Sequence, residues 1–174
     1  MTQSPLDIAI EGDGFFQIDL PDGTTGFTRA GSFQLNAQGQ VVTADGFLLQ
    51  PGITIDPQAT DIAVNASGEV LVKLPGQVED TVAGQITLAG FANPAGLEAI
   101  GGNLFLQTAA SGDADVTAPG TVGLGTVRQG FLEASNVNVV AELTSMITAQ
   151  RAYEMNSKVI QTTDEMYRTV TQMR

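Results

Sequence analysis

Residues 135–174, SNVNVVAELTSMITAQRAYEMNSKVIQTTDEMYRTVTQMR, decide how this chain is organised. The segment contains no glycine and no proline, whereas the residues before it contain all 20 glycines and all 7 prolines. Glycine and proline are the two residues that disfavour the interior of a helix most strongly. We therefore predict a body domain over residues 1–137 and one long C-terminal helix over residues 138–174.

The sequence of the body domain predicts a mainly β fold, in which consecutive hairpins form a compact meander. Short alternating apolar runs are separated by turn residues, as in IAIEGDGFFQIDLPDGTTGF over residues 8–27. Two segments resemble each other, LNAQGQV over residues 35–41 and VNASGEV over residues 64–70. Both have asparagine three residues before glycine, which suits a tight hairpin with left-handed backbone. We assign these turns to Asn36, Gly39, Asn65 and Gly68.

A small, polar and Gly-rich stretch, AASGDADVTAPGTVGLGT, occupies residues 109–126. It has no sustained apolar alternation, so we predict a long loop there, within the body domain. The segment VRQGFLEASNVN then leads from the body into the helix.

The predicted helix has a clear start and a repeating apolar seam. Asn138 is the expected N-cap, since its side chain can accept a hydrogen bond from the first turn. Apolar residues then recur every seven positions, which indicates packing in a left-handed coiled coil. At 1.5 Å per residue the helix would be about 55 Å long, longer than a body of roughly 36 Å. We predict that the following seam residues contact other subunits: Leu143, Met146, Ala149, Tyr153, Asn156, Ile160, Thr163, Met166, Tyr167 and Val170.

Charge is unevenly distributed between the two parts. Residues 138–174 contain four acids and four bases, so the entire net charge of −12 lies in residues 1–137. Such an acidic body disfavours nucleic acid and anionic lipid as partners. No run of apolar residues is long enough for membrane insertion.

The residue types that are missing exclude several kinds of chemistry. Cysteine and histidine are absent, which removes Ser–His and Cys–His catalysis and the usual zinc ligand sets. The acids lack the spacing of a calcium-binding loop. We expect no cofactor, no metal site and no catalytic residue.

Three motifs carry a resemblance to a known family. Residues 12–17 (GDGFFQ), 28–33 (TRAGSF) and 129–166 (QGFLEASNVNVVAELTSMITAQRAYEMNSKVIQTTDEM) resemble the axial proteins that form the rod and hook of the bacterial flagellum. The last and longest motif is most similar to the distal rod type. The family's members begin with a helix that is missing from this sequence, and we expect that helix to be the coiled-coil partner of residues 138–174.

The resemblance implies a structural subunit and not an enzyme. It implies a helical homopolymer in the basal body, spanning the periplasm and transmitting motor torque to the hook. The implied partners are further copies of the chain, the adjacent proximal rod and hook subunits, the surrounding ring bushing and the flagellar export apparatus, which exports its substrates without a cleaved signal peptide.

Two alternatives remain at this point. The chain could be a hook subunit of the same family. It could also be a monomeric β-rich binding or carbohydrate-active domain, because acids alone do not rule out a pair of catalytic carboxylates.

Overall fold

The structure is a computed structural model that describes residues 2, 4–77, 79–121 and 123–172, without the side chains of residues 169–171. The chain divides into two compact units, Met1–Glu133 and Ala134–Arg174. The first is built from β-strands and the second from a single helix. The predicted fold class, a mainly β body followed by one long helix, is confirmed.

The described part of the first unit contains fourteen short strands and one 3₁₀ turn at Pro94–Gly96. The strands are β1 (Ile8–Glu11), β2 (Phe15–Asp19), β3 (Thr25–Thr28), β4 (Phe33–Leu35), β5 (Val41–Thr43), β6 (Leu48–Leu49), β7 (Asp61–Val64), β8 (Glu69–Lys73), β9 (Thr81–Gln85), β10 (Leu88–Gly90), β11 (Glu98–Gly101), β12 (Leu104–Leu106), β13 (Asp115–Thr117) and β14 (Thr126–Gln129).

The strands form three antiparallel sheets. The largest has the order β11-β12-β3-β2-β6-β5-β4, and β10 joins it by pairing with both β2 and β13. A second sheet has the order β7-β8-β9. The third is the pair β1–β14, in which Ile8 lies opposite Gln129. Many neighbouring strands are also consecutive in the sequence, which is the expected meander.

The hairpin between β4 and β5 is closed by Asn36 and Gly39. The side-chain Oδ1 of Asn36 accepts the backbone N–H groups of Gln38 and Gln40 at 3.0 and 2.9 Å. Gly39 donates its N–H to the Asn36 carbonyl at 3.0 Å and has φ +76°. Asn36 itself is not left-handed, so the asparagine acts through its side chain and the glycine alone supplies the positive φ.

The hairpin between β7 and β8 repeats this arrangement. Asn65 Oδ1 accepts the N–H groups of Ser67 and Glu69 at 3.1 and 2.9 Å. Gly68 has φ +86°, and its N–H donates to the Asn65 carbonyl at 3.0 Å. The likeness between the two sequence segments is therefore a likeness of backbone structure.

The core of the first unit is formed mostly by aliphatic side chains, from all three sheets. Its most buried members are Ile8, Phe16, Leu49, Ile55, Ile86 and Leu88. A smaller cluster is aromatic, with Phe15 in edge-to-face contact with Phe91 and Phe105, and Phe27 with Phe91. Together these clusters bury the apolar side chains that alternate along the predicted strands.

Residues 109–126 differ from the predicted loop in two respects: β14 begins at the last of them, Thr126, and another strand lies within them. Strand β13 lies inside this stretch, where Val116 pairs with Ala89 of β10. Only three residues pair, too few for a visible alternation in the sequence, and the strand is formed by the neighbouring edge that it contacts.

Candidate subunit interface

Helix α1 (Val139–Gln172) begins directly after Asn138. The Oδ1 atom of Asn138 accepts hydrogen bonds from the backbone N–H groups of Val140 and Ala141, at 3.1 and 3.2 Å. Its carbonyl accepts the N–H of Glu142 at 3.1 Å, the first bond of the helix. Glu142 also places a negative charge in the first turn, where the helix dipole favours it.

Several threonines of α1 bond within the helix. The hydroxyl groups of Thr144, Thr148 and Thr163 each donate to the carbonyl four residues earlier, at 2.8 Å in all three cases. Their polar atoms are therefore satisfied locally, and their methyl groups remain available for packing.

The apolar side chains of α1 are exposed to solvent. Every side chain over residues 139–168 is exposed, including Tyr153 at 78%, Ile160 at 64% and Met166 at 63%. Large apolar side chains of a soluble protein are normally covered, and a continuous exposed stripe marks a surface for association.

The expected seam residues lie on neighbouring rows of this helix. Met146, Tyr153, Ile160 and Tyr167 form a row at seven-residue spacing, and Ala149, Asn156 and Thr163 form the next row. Leu143 and Met166 flank the rows near the two ends of the helix. Val170 lies within α1, but its side chain is outside the described residues, as is the end of the predicted helix at residues 173–174.

Five exposed large apolar residues of α1 extend the surface beyond the expected set: Val139, Val140, Ile147, Met155 and Val159. Val139 lies one heptad before Met146, so the spacing alone could have identified it. Val140 and Ile147 flank the row on the side opposite to Ala149 and Asn156. The apolar face therefore extends to both sides of the row Met146, Tyr153, Ile160 and Tyr167. A single pair of heptad positions does not describe a face of that width.

The first unit contains a cavity of about 270 Å³. It is lined by Asp13, Gly14, Phe15, Arg29, Gly90, Phe91, Pro94 and Gly123. Asp13 is the one carboxylate among these residues, and the guanidinium of Arg29 already bonds to Glu133 at 2.9 Å. A glycosidase-type pair of carboxylates does not line this cavity.

Two absences hold for the residues that the structure describes. No group of three or more acidic, histidine or cysteine side chains there is arranged to hold a metal ion. Within the same residues, no helix is both long enough and apolar enough to cross a membrane.

Comparison with known proteins assigns both ends of the chain. Residues 9–72 match the flagellar hook protein FlgE/F/G D1 domain, and residues 128–173 match the C-terminal domain of the flagellar basal-body rod FlgEFG proteins. The chain belongs to the flagellar hook and basal-body rod protein family. The second match contains all of α1, so the helix lies within the region that matches the family's C-terminal domain.

Individual relatives agree with this family assignment. The chain is 59% identical to the flagellar basal-body rod protein FlgG of Caulobacter vibrioides, over all of this chain and 66% of the relative. It is 44% identical to FlgG of Bacillus subtilis, over 95% of this chain and 64% of the relative. The rod protein FlgF of Escherichia coli is 33% identical, over 94% and 66% respectively. The chain thus spans slightly less than two thirds of the length of these relatives.

Proposed function

We propose that this protein is a structural subunit of the distal rod of the flagellar basal body. In this role it polymerises into the axial shaft that passes torque from the motor to the hook. The observation that carries the proposal is the exposed apolar stripe of α1, in a chain that is 59% identical to a protein named as a basal-body rod protein.

The energetics of α1 favour association. Covering one Leu, Ile or Met side chain completely is worth about 1.5–3 kcal/mol relative to leaving it in water. Several such residues lie on one stripe, so the helix gains stability when a partner covers them. The helix is electrically neutral over residues 138–174, so bringing copies together meets little net repulsion from this segment.

The proposed partners follow from this role. The stripe packs against helices of neighbouring copies, and the ends of the polymer meet the proximal rod and the hook. The body contacts the ring bushing as the shaft spans the periplasm, and the export apparatus delivers the subunit without a cleaved signal peptide. Identity favours the FlgG type of rod protein over the FlgF type, since the chain is 59% identical to one FlgG protein and 33% identical to FlgF.

Gene deletion and localisation test the proposal in the source bacterium. Deleting the gene should leave cells without hooks and filaments, and restoring it should recover both, as seen by electron microscopy. Antibody labelling of purified basal bodies should mark the shaft between the rings. Labelling along the hook would instead assign a hook subunit, and normal flagella in the deletion strain would refute both assignments.

A further inference from the structure

The last residues of the first unit, 130–133, are held to the body by several independent contacts. We call these residues the connector. The N–H of Gly130 donates to the Asp7 carbonyl at 2.7 Å, and the Gly130 carbonyl accepts the N–H of Thr2 at 2.8 Å. Gly130 has φ +75°, a conformation that glycine adopts and leaves easily. Rotation about this residue is therefore opposed by two backbone hydrogen bonds, to which side chains of the connector can add.

Arg29 supplies a side-chain contact at the far end of the connector. Its Nε donates to the Glu133 carboxylate at 2.9 Å. Its two terminal nitrogens donate to the carbonyls of Gly12 and Gly14, at 2.9 and 3.2 Å, and its guanidinium lies 5.8 Å from the Phe15 ring. The two bonds to the Gly12 and Gly14 carbonyls fix the planar guanidinium, so Glu133 meets a prearranged donor.

The loop that holds Arg29 is itself fixed. The N–H of Gly125 donates to the Asp13 carbonyl at 2.7 Å, and the α-carbon of Gly125 would be only 2.9 Å from a β-carbon on Gly12. The backbone around Gly12 and Gly14 is therefore in close contact with the segment that leads into β14. Arg29 thus connects the connector to a rigid part of the body.

A second arginine acts on the near end of the connector. The guanidinium of Arg128 lies 4.6 Å from the ring of Phe131, and one of its nitrogens is 3.7 Å from the Glu11 carboxylate. Residues 1–137 have only three bases, Arg29, Lys73 and Arg128, against fifteen acids. Two of these three cations contact the connector.

We propose that the Arg29–Glu133 pair is a latch that prevents the connector from swivelling at Gly130. A load applied to the body then reaches residue 133 through side chains as well as through the main chain. This inference rests on the proposed function, because a latch matters only where the body and the helix carry torque between them. Arg29 and Glu133 are positioning residues in this mechanism.

Hydrogen exchange on the full chain tests the latch directly. The side chains of Arg29 and Glu133 are 31% and 46% exposed, so the pair is partly screened by solvent. Glu133→Gln should raise the exchange rate of the Gly130 amide, whose N–H is bonded to the Asp7 carbonyl, about two- to fivefold and leave β1 and β14 unchanged. Glu98→Gln, which removes an exposed acid of β11, is the matched control and should change none of these rates. Unchanged rates in Glu133→Gln would overturn the proposal.

Salt provides a second measurement on the same samples. At about 1 M NaCl the Debye length is only 3 Å, so the wild-type rates should approach those of Glu133→Gln. A difference between the two proteins that persists undiminished at high salt would show that the carboxylate does not act through the ion pair.

Motility under load separates the latch from the proposed function. Cells that carry Glu133→Gln in the chromosomal gene should form a normal number of flagella and swim normally in dilute medium, but slow more than wild type in viscous medium. Equal speeds at every viscosity would overturn the latch and leave the rod assignment intact. Loss of flagella in this variant would also overturn it, because Glu133 would then be an assembly contact.

Discussion

The N–H of Ile55 donates to the carbonyl of Gly39 at 2.7 Å, and the carbonyl of Ile55 lies where a β-carbon on Gly39 would be. Ile86 has the same relationship to Gly68, again with an N–H to carbonyl distance of 2.7 Å. In each case a buried isoleucine lies against the glycine of an asparagine–glycine turn. The repeated unit is therefore a hairpin together with the isoleucine that packs on its turn.

This contact predicts a large cost for Gly39→Ala. Alanine would keep the strained positive φ, which costs about 1–2 kcal/mol, and would also collide with the Ile55 carbonyl. We expect the free energy of unfolding to fall by about 1–3 kcal/mol more than the φ strain alone explains. Urea denaturation followed by circular dichroism measures the difference.

Gly46→Ala is the matched control for that experiment. Gly46 has φ +89°, but a β-carbon there would meet no atom within 4 Å. It should therefore report the conformational cost without the collision. Equal destabilisation by Gly39→Ala and Gly46→Ala would mean that the contact with Ile55 does not constrain the turn.

We also predict that replacing Gln129 lowers the stability of the fold. Its Nε2 donates to the carbonyls of Pro5 and Ile62, both at 2.8 Å, and its Oε1 accepts the N–H of Val64 at 3.1 Å. Gln129→Leu would leave the partly buried carbonyl of Ile62 and N–H of Val64, and the exposed carbonyl of Pro5, without their partner. We expect a loss of about 2–4 kcal/mol in the free energy of unfolding.

Gln107→Leu controls for the loss of an exposed amide. Gln107 makes an exposed hydrogen bond to Asp113 at 3.1 Å. Its replacement should change stability by no more than about 0.5 kcal/mol. If the two variants were equally stable, water would have to replace the bonds of Gln129 without cost.

We predict that the stability of the turn at Asp22 depends on pH. Its Oδ1 accepts the hydroxyl of Thr24 at 2.6 Å and the N–H of Thr24 at 3.0 Å, and these bonds hold the pKa of Asp22 below its ordinary value. The carboxylate therefore stabilises the folded turn above the unfolded-state pKa of Asp22. That contribution is lost as pH falls through the lowered pKa of the folded state.

Carbon-detected NMR titration of the Asp22 carboxyl measures this effect. Thr24→Val removes the hydroxyl donor, which is the largest cause, and should move the pKa of Asp22 upward. Thr24→Ser keeps both donors and should leave the pKa low. A low pKa in Thr24→Val would assign the shift to the backbone N–H alone.

We predict that Tyr153→Asp prevents assembly without unfolding the body. The substitution puts a charge in the middle of the apolar stripe of α1, where burial in a polymer would be costly. We expect cells with this variant to lack flagella, while the purified chain keeps the β-sheet circular dichroism of the wild type. Gln161→Asp adds the same charge two helical turns along, where the residues one turn away are Ser157, Lys158, Asp164 and Glu165, and should permit assembly. Normal swimming by Tyr153→Asp would refute the seam assignment.

The sequence predicted those features that depend on residues close together in the chain. The β body, the long helix and the self-similar segments around Gly39 and Gly68 are all local patterns. The Asn138 contacts are local as well, since both of its acceptor bonds lie within three residues.

The features that the sequence did not predict join residues far apart in the chain. The β1–β14 pair joins the start of the first unit to its end, and Arg29 contacts Glu133 across 104 positions. Strand β13 exists because β10 offers an edge in the right place. Short apolar runs in the sequence do not encode which distant strand they will meet, so neither the sheet order nor the latch could be derived from them.

The hydrogen bond between Thr2 and Gly130 has a consequence for how such proteins can diversify. The chain enters and leaves the β unit at neighbouring points of one strand pair. Residues 7 and 130 are close together in space, so the part of the chain between them is equivalent to a module inserted between the flanking segments. A larger, smaller or different outer module could be grafted at this junction while the flanking segments keep their spacing.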